Sequence, residues 1–322
     1  MNLYRLSRVL GAGLLLTAPL RAGETSVVKS VKFEWRDDAR ARAVPAKIYY
    51  PASGTGACPV IVFSHGLGGS RDGYAYLGEC WASNGFVSVH LQHVGSDDSA
   101  WRGQTNAMES MRAAAANPKE ILDRPRDVKF ALDQLEALNR TAGSPLRGRL
   151  DLKRVGVAGH SFGAYTALAA AGRVFSLPGG REFDLHDARI TACIALSAPA
   201  RGTPAEKASY AKFAVPCLHM TGTEDTSPIG DTKAEQRRIP YDAIAAPAQY
   251  LVNFQGGDHM IFSGRPKAGE RTASDAEYQK MIRTCTLAFW NAYLKNDAVA
   301  LAWLQKDGLP QTLGAKAKLE RK

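Results

Sequence analysis

The sequence predicts an α/β fold: one mostly parallel sheet of about eight strands flanked by helices, with an antiparallel pair at its N-terminal edge. Three observations predict it. Short apolar runs recur at residues 59–64, 85–91, 154–158, 192–196, 216–221 and 249–254. Runs without apolar–polar alternation mark strands buried on both faces, as in a parallel sheet covered by helices. Helical periodicity fills much of the sequence between them, and strand–helix alternation is the signature of a doubly wound sheet. Finally, no internal repeat and no Pro/Ser-rich linker divides the chain, so residues 23–314 read as a single domain.

In chain order, residues 1–22 place Arg5 and Arg8 before an apolar run and end on Ala22, the layout of a secretory signal. That run is too short for a comfortable membrane span, so export with no span after cleavage is expected. Residues 27–35 and 44–50 read as the edge hairpin, and 72–84 as the first helix. Residues 124–138 set Val128, Leu132, Leu135 and Leu138 on one helical face. A helix of small residues occupies 161–171, and a long amphipathic helix spans 276–294. Two stretches, 95–123 and 172–189, resist the alternation and read as long connections, either binding loops or surface decoration. Residues 315–322, with Lys316, Lys318, Arg321 and Lys322, read as a frayed basic tail.

Composition agrees with this organisation. The 322 residues are 45% hydrophobic and 22% charged, which excludes a disordered chain, a collagen-like repeat and a disulfide-dense miniprotein. The formal charge of +10 hints at a polyanionic partner, yet Arg5, Arg8 and Arg21 lie in the leader and four more cations crowd the last seven residues. No helix-turn-helix, RNP or zinc pattern supports nucleic-acid binding. The five cysteines lack metal or redox spacing, and Cys193 and Cys217 sit in strand-like runs where a buried thiol is usual. Their odd number leaves at least one unpaired within the chain, and the pairing of the others is open.

Chemistry concentrates in four places. Gly159-His160-Ser161-Phe162-Gly163 lies between a strand and a helix. There a serine takes a strained turn at a helix N-terminus, with flanking glycines allowing close approach. A serine hydroxyl needs a base to take its proton and donors to hold the oxyanion. His65-Gly66-Leu67-Gly68-Gly69 ends an early strand and supplies one such donor, so the backbone amides of Leu67 and Phe162 are the expected pair. His65 precedes the nucleophile and reads as a brace for this loop. Asp225 and His259 follow the strands 216–221 and 249–254, at the sheet edge where ligands bind in open α/β folds. In this order Ser161 is the nucleophile, His259 the base and Asp225 the acid that orients it. Glu224 is the rival acid, and Asp258 reads as a turn residue.

His93, with the Val-Gly-Ser-Asp-Asp that follows it, faces the same edge and either meets substrate or pins the 95–123 segment. Trp101, Met108 and Met111 form either an apolar substrate wall or the packed underside of that segment. His160 is a further candidate to line the pocket. His90, His186 and His219 have no partners at ligand spacing and read as structural.

These motifs resemble the α/β-hydrolase superfamily. The resemblance rests on Val62-Phe-Ser-His-Gly-Leu-Gly68, Ala82-Ser-Asn-Gly-Phe-Val87 and Val157-Ala-Gly-His-Ser-Phe-Gly163. Within the superfamily the chain is similar to secreted (type II) platelet-activating factor acetylhydrolases and bacterial dienelactone-hydrolase-like proteins. The resemblance implies a serine esterase acting on small-molecule or lipid esters of short acyl chains, with no metal and no organic cofactor. In the acetylhydrolases the acid follows the strand just after the elbow helix, where this chain has Ser197. An acid at Asp225 looks instead like cutinase-like and polyester-degrading hydrolases, so a polyester substrate stays open beside a small ester. A lactone hydrolase is a further alternative, weakened because that relative uses a cysteine nucleophile. A catalytically inactive hydrolase fold used for binding is the alternative from another class.

Overall fold

The computed structural model describes residues 26–54, 56–176, 181–227, 229–264 and 273–322; the expected leader, 1–22, lies outside the described residues. Eleven strands and nine α-helices are described. The strands are β1 (Val28–Asp37), β2 (Arg42–Pro51), β3 (Cys58–Ser64), β4 (Val87–Leu91), β5 (Leu150–His160), β6 (Val174–Ser176), β7 (Glu182–Asp184), β8 (Ile190–Leu196), β9 (Cys217–Glu224), β10 (Gln249–Asp258) and β11 (Ala317–Arg321). The helices are α1 (Ala75–Ser83), α2 (Ala107–Ala116), α3 (Pro118–Arg140), α4 (Phe162–Ala170), α5 (Pro204–Ala208), α6 (Ile239–Ala243), α7 (Ala273–Leu294), α8 (Ala298–Gln305) and α9 (Gly308–Leu313).

Nine strands form one sheet in the order β1-β2-β4-β3-β5-β8-β9-β10-β11. From β4 to β10 every neighbouring pair is parallel, and antiparallel strands close both edges. This is the α/β-hydrolase architecture the sequence implied. The uninterrupted apolar runs are buried on both faces because each face has its own helical cover. Val60, Val62, Val155 and Val157 pack with Val128, Leu132 and Leu135 of α3 and Leu168 of α4. Ile61 and Phe63 turn the other way, toward Trp81 of α1 and Ile282, Phe289 and Trp290 of α7. Burying one such side chain contributes about 1.5–3 kcal/mol. Gly156 makes room for the Trp290 ring, since a Cβ there would come within 2.6 Å of it.

Three local expectations change. The 95–123 stretch is ordered as a 3-10 turn (Asp98–Ala100), α2 and the first turn of α3. Asn106 caps α2 by accepting from the Glu109 amide, and Asn117 caps α3 ahead of Pro118. Helix α2 buries no residue, so its alanine-rich sequence carries helix propensity without the apolar stripe that reveals a helix. Within 172–189, β6 and β7 pair as a small antiparallel hairpin, residues 177–180 lying outside the described ones. The segment expected as a frayed tail, 315–322, is instead β11, in register with β10 from Tyr250↔Arg321 to Phe254↔Ala317. Its cations are accommodated because Lys318 is exposed at the edge and Arg321 donates to the Leu304 and Lys306 carbonyls. It raises the expected eight strands to nine.

All five cysteines are free; Cys193 and Cys217 are buried opposite each other on β8 and β9.

Candidate active site

The parallel strands share one direction, so the segments that follow them share one edge. Ser161 follows β5, the loop with Leu67 follows β3, Asp225 follows β9 and His259 follows β10. Ser161 has φ 55° and ψ −118°, a conformation non-glycine residues rarely adopt. The turn is so tight that a Cβ at Gly159 would collide with the Gly163 carbonyl, and one at Gly163 with the Ser64 carbonyl. The turn is held by Ser161 N donating to Leu196 O at 2.8 Å, and by Ser161 O accepting from the Ala164 and Tyr165 amides. Phe162 is the first residue of α4, so its amide has no acceptor within the helix.

Ser161 Oγ lies 3.1 Å from His259 Nε2, and His259 Nδ1 lies 2.8 Å from Asp225 Oδ1. Asp225 is fully buried and also accepts from Ser197 Oγ at 2.8 Å and Thr221 Oγ1 at 2.9 Å. Burial works to raise its carboxyl, but the His259 hydrogen bond, the Arg237 charge and the Ser197 hydroxyl outweigh it. The group is held below the usual carboxylate range. Glu224, the rival acid, is exposed at the end of β9, while Asp258 caps the turn after it by accepting from the Met260 and Ile261 amides.

Ser161 and His259 open into a cavity of about 860 Å³. On the β3–β4 side its wall is apolar, with Leu67, Trp101, Met108, Met111 and Ile121. On the β8–β9 side it is mixed, with Arg173, Arg201, Glu206 and Thr232 beside Pro199 and Ile229. Trp101 faces the cavity, and its Nε1 also donates to Gly68 O at 2.8 Å, bracing the loop that carries Leu67. His160 lines the cavity beneath His259, joining Tyr74 Oη at 2.8 Å to the His259 carbonyl at 3.0 Å. Burial, with His259 and Arg237 nearby, pushes its imidazole well below the ordinary value, so it is neutral.

The profile of the PET hydrolase-like family (PETase) matches residues 44–276, well over half of the chain and all of the cluster just described. The chain belongs to that family. It is also similar to platelet-activating factor acetylhydrolase of Cavia porcellus, 28% identical over 155 residues, 39% of this chain and 34% of the relative. The homologous acetylhydrolase of Canis lupus familiaris is 32% identical over 139 residues, 35% of this chain and 31% of the relative. The chain thus matches about a third of the length of these curated relatives.

Of the two roles open to His93 in this PET hydrolase-like chain, its position away from the cavity fits the structural one. His93 is fully buried behind the Leu67 loop, with Nε2 2.8 Å from Ser64 Oγ and Nδ1 2.9 Å from Asp127 Oδ2. Its backbone amide donates to His65 Nε2 at 3.1 Å, so both histidines brace the loop. The residues after it pin the same loop: Gly68 N donates to Ser96 O, and Gly69 bridges to Asp97.

Two sets of residues escaped sequence reasoning. Asp127 and Glu120 are buried and pair with Arg42, Asp127 also with the half-buried Arg40, and Arg124 is buried beside this ionic layer. Arg124 donates to Ser64 Oγ, Ser96 Oγ, Thr166 Oγ1 and the His65 carbonyl, and lies 4.4 Å from the Phe162 ring centroid. A signal existed: Glu120, Arg124 and Asp127 continue, at three- and four-residue spacing, the helical stripe of Val128, Leu132 and Leu135. Arg237, which touches Asp225 and His259, had no such signal, and Ser197, which touches both as well, was marked only as the residue at the acetylhydrolases' acid position. They come from separate connections and meet only in the fold.

Proposed function

We propose that the protein is a carboxylic-ester hydrolase that works through an acyl-enzyme on Ser161. The observation that carries this reading is the unbroken chain Ser161 Oγ–His259 Nε2, His259 Nδ1–Asp225 at the wall of a cavity. In the proposed reaction Ser161 Oγ attacks the ester carbonyl while His259 Nε2 takes its proton. Asp225 holds the Nδ1–H tautomer and stabilises the imidazolium. The amides of Leu67 and Phe162 receive the carbonyl oxygen as it gains charge. The imidazolium then protonates the departing alcohol, and a water activated by His259 releases the acid. No cofactor takes part in these steps.

A short-acyl lipid or small ester is the leading substrate class, supported by the apolar wall from Leu67 to Ile121 and by the similarity to acetylhydrolases. The PET hydrolase-like match favours a second substrate, a polyester. The sequence of residues 1–22 supports export to the periplasm or the extracellular space.

A serine-directed fluorophosphonate and a chain-length series of p-nitrophenyl esters, run beside a phospholipid and a polyester film, test the proposal. The wild type is expected to label and to turn over short esters, and Ser161→Ala to do neither. Labelling that survives in Ser161→Ala removes the acyl-enzyme reading. A preference for long acyl chains removes the short-acyl one.

A further inference from the structure

Two adjacent arginines in the 3-10 turn Ala234–Arg238 part company. Arg238 points outward and pairs with Asp242 and with Glu320 of β11, each at 2.8 Å. Arg237 points inward and is almost wholly buried. Its Nε donates to the Asp225 carbonyl at 3.2 Å and its Nη1 to the Ser197 carbonyl at 3.0 Å. Nε also lies 3.3 Å from Asp225 Oδ1, and Nη2 lies 3.4 Å from His259 Nδ1.

The Asp225 carboxylate does not depend on this cation for its hydrogen bonds. Asp225 already accepts from Ser197, Thr221 and His259 without it. With the proton of His259 on Nδ1, the Arg237 contact joins two donors and is not a hydrogen bond. What the guanidinium adds beside the ring is charge. Asp225 favours an imidazolium and Arg237 opposes one.

The other groups around the ring leave this balance to the pair. Ser161 and Ser197 are uncharged, and His160, 4.7 Å away between ring centroids, is held neutral by burial. Asp258, next in sequence, turns Oδ1 to the Met260 and Ile261 amides. Farther along the cavity Arg173 is paired with Glu206, and Arg201 is exposed.

We propose that Arg237 is a positioning residue that offsets Asp225, keeping His259 a neutral base to lower pH than a carboxylate partner alone would allow. It also ties the strand ends after β8 and β9 together under the ring. This rests on the reading of Ser161, His259 and Asp225 as the catalytic set.

The test is kcat/KM against pH for p-nitrophenyl acetate in wild type, Arg237→Gln and Arg237→Lys. Arg237→Gln is expected to move the acid limb upward by about one pH unit while keeping turnover near pH 9. Arg237→Lys, which keeps the charge, is expected to hold the limb within about 0.3 unit of wild type. A Gln variant slowed equally at every pH, with its limb unmoved, overturns the proposal and leaves Arg237 a packing residue. Should Arg237→Gln not fold, Asp225→Asn and Asp225→Asn/Arg237→Gln remove the charges together. The pH dependence of their fluorophosphonate labelling then decides: a limb at higher pH in the double variant supports the offset, and coincident limbs overturn it. A Ser161→Ala protein that still labels fails the underlying reading instead, whatever Arg237 does.

Discussion

Two Ser–His–Asp triples are built into this molecule with the same connectivity, and only one faces a cavity. In Ser161–His259–Asp225 the two links are 3.1 and 2.8 Å. In Ser64–His93–Asp127 they are 2.8 and 2.9 Å. What separates them is everything around those links. Ser161 sits in the strained elbow at a helix N-terminus, whereas Ser64 is the last residue of a regular strand. Ser64, His93 and Asp127 are all fully buried, and Ser64 Oγ also accepts from Arg124 at 3.2 Å. Burial, with Arg124, Arg42 and Arg40 close by, drives His93 well below the ordinary imidazole value, so the imidazolium a base must become is strongly opposed. His259 faces a single arginine. The hydrogen-bonded chain is therefore common to a brace and to the proposed reactive centre. Access, backbone strain and the number of cations close to the ring separate the roles.

The comparison is sharpest where the acids are exchanged for amides. Asp225→Asn should lower kcat by roughly 10³–10⁴-fold while the protein remains folded, because the amide no longer enforces the productive tautomer of His259. Esterase kinetics beside circular dichroism measure it, and near-normal turnover would move the role away from Asp225.

A smaller effect is expected at the second triple. Ser64→Ala leaves His93 and Arg124 each short of a buried partner, which should cost about 1–3 kcal/mol of stability. Turnover per folded molecule should stay within about tenfold of wild type, as the Leu67 loop keeps its other braces. Denaturant melts and active-site titration separate the two. If Ser64→Ala abolished turnover as Ser161→Ala should, the division between brace and reactive centre would collapse.

The smallest effect concerns acid. Burial tends to raise the Asp123 carboxyl, but the Lys119 hydrogen bond and the charges of Arg42 and Arg40 hold it below its ordinary value of 3.8. Because the folded value is depressed, the stability it contributes is present above pH 3.8 and is lost as pH falls through the lower folded value. The melting temperature should therefore fall more steeply below about pH 4 in wild type than in Asp123→Asn. Parallel melting curves would show that the ionic layer behind the Leu67 loop does not depend on this carboxylate.

Much of this was legible in the residues. The buried strands announce themselves as short apolar runs, since a strand covered on both faces has no polar side to show. The elbow is readable because its glycines answer steric demands that recur in such turns: Gly159 clears the Gly163 carbonyl, and Gly163 clears the Ser64 carbonyl at the end of β3. The elbow motif and chain order nominate Ser161, His259 and, beside its rival Glu224, Asp225. Less was readable where a segment's fate depends on distant partners. The cations of 315–322 suggested fraying, yet Ala317–Arg321 pairs with β10. Helix α2 has no buried face to betray it. His93 follows a strand at the reactive edge just as His259 does, and nothing within several residues of either tells them apart.

By itself, then, the sequence determined the layered α/β sheet, the turn that strains Ser161 and the order in which the reactive groups arrive. These follow from periodicity and from a recognisable strand–turn–helix motif, Gly159 clearing its near neighbour Gly163 and Gly163 clearing Ser64 of the adjoining strand. Tertiary structure alone decided that Asp225 and not Glu224 meets the imidazole, that His93 is walled in by Asp127 and three arginines, and that Arg237 lies against His259. Those outcomes depend on which strand ends and helices become neighbours, and electrostatic environment is a property of that neighbourhood.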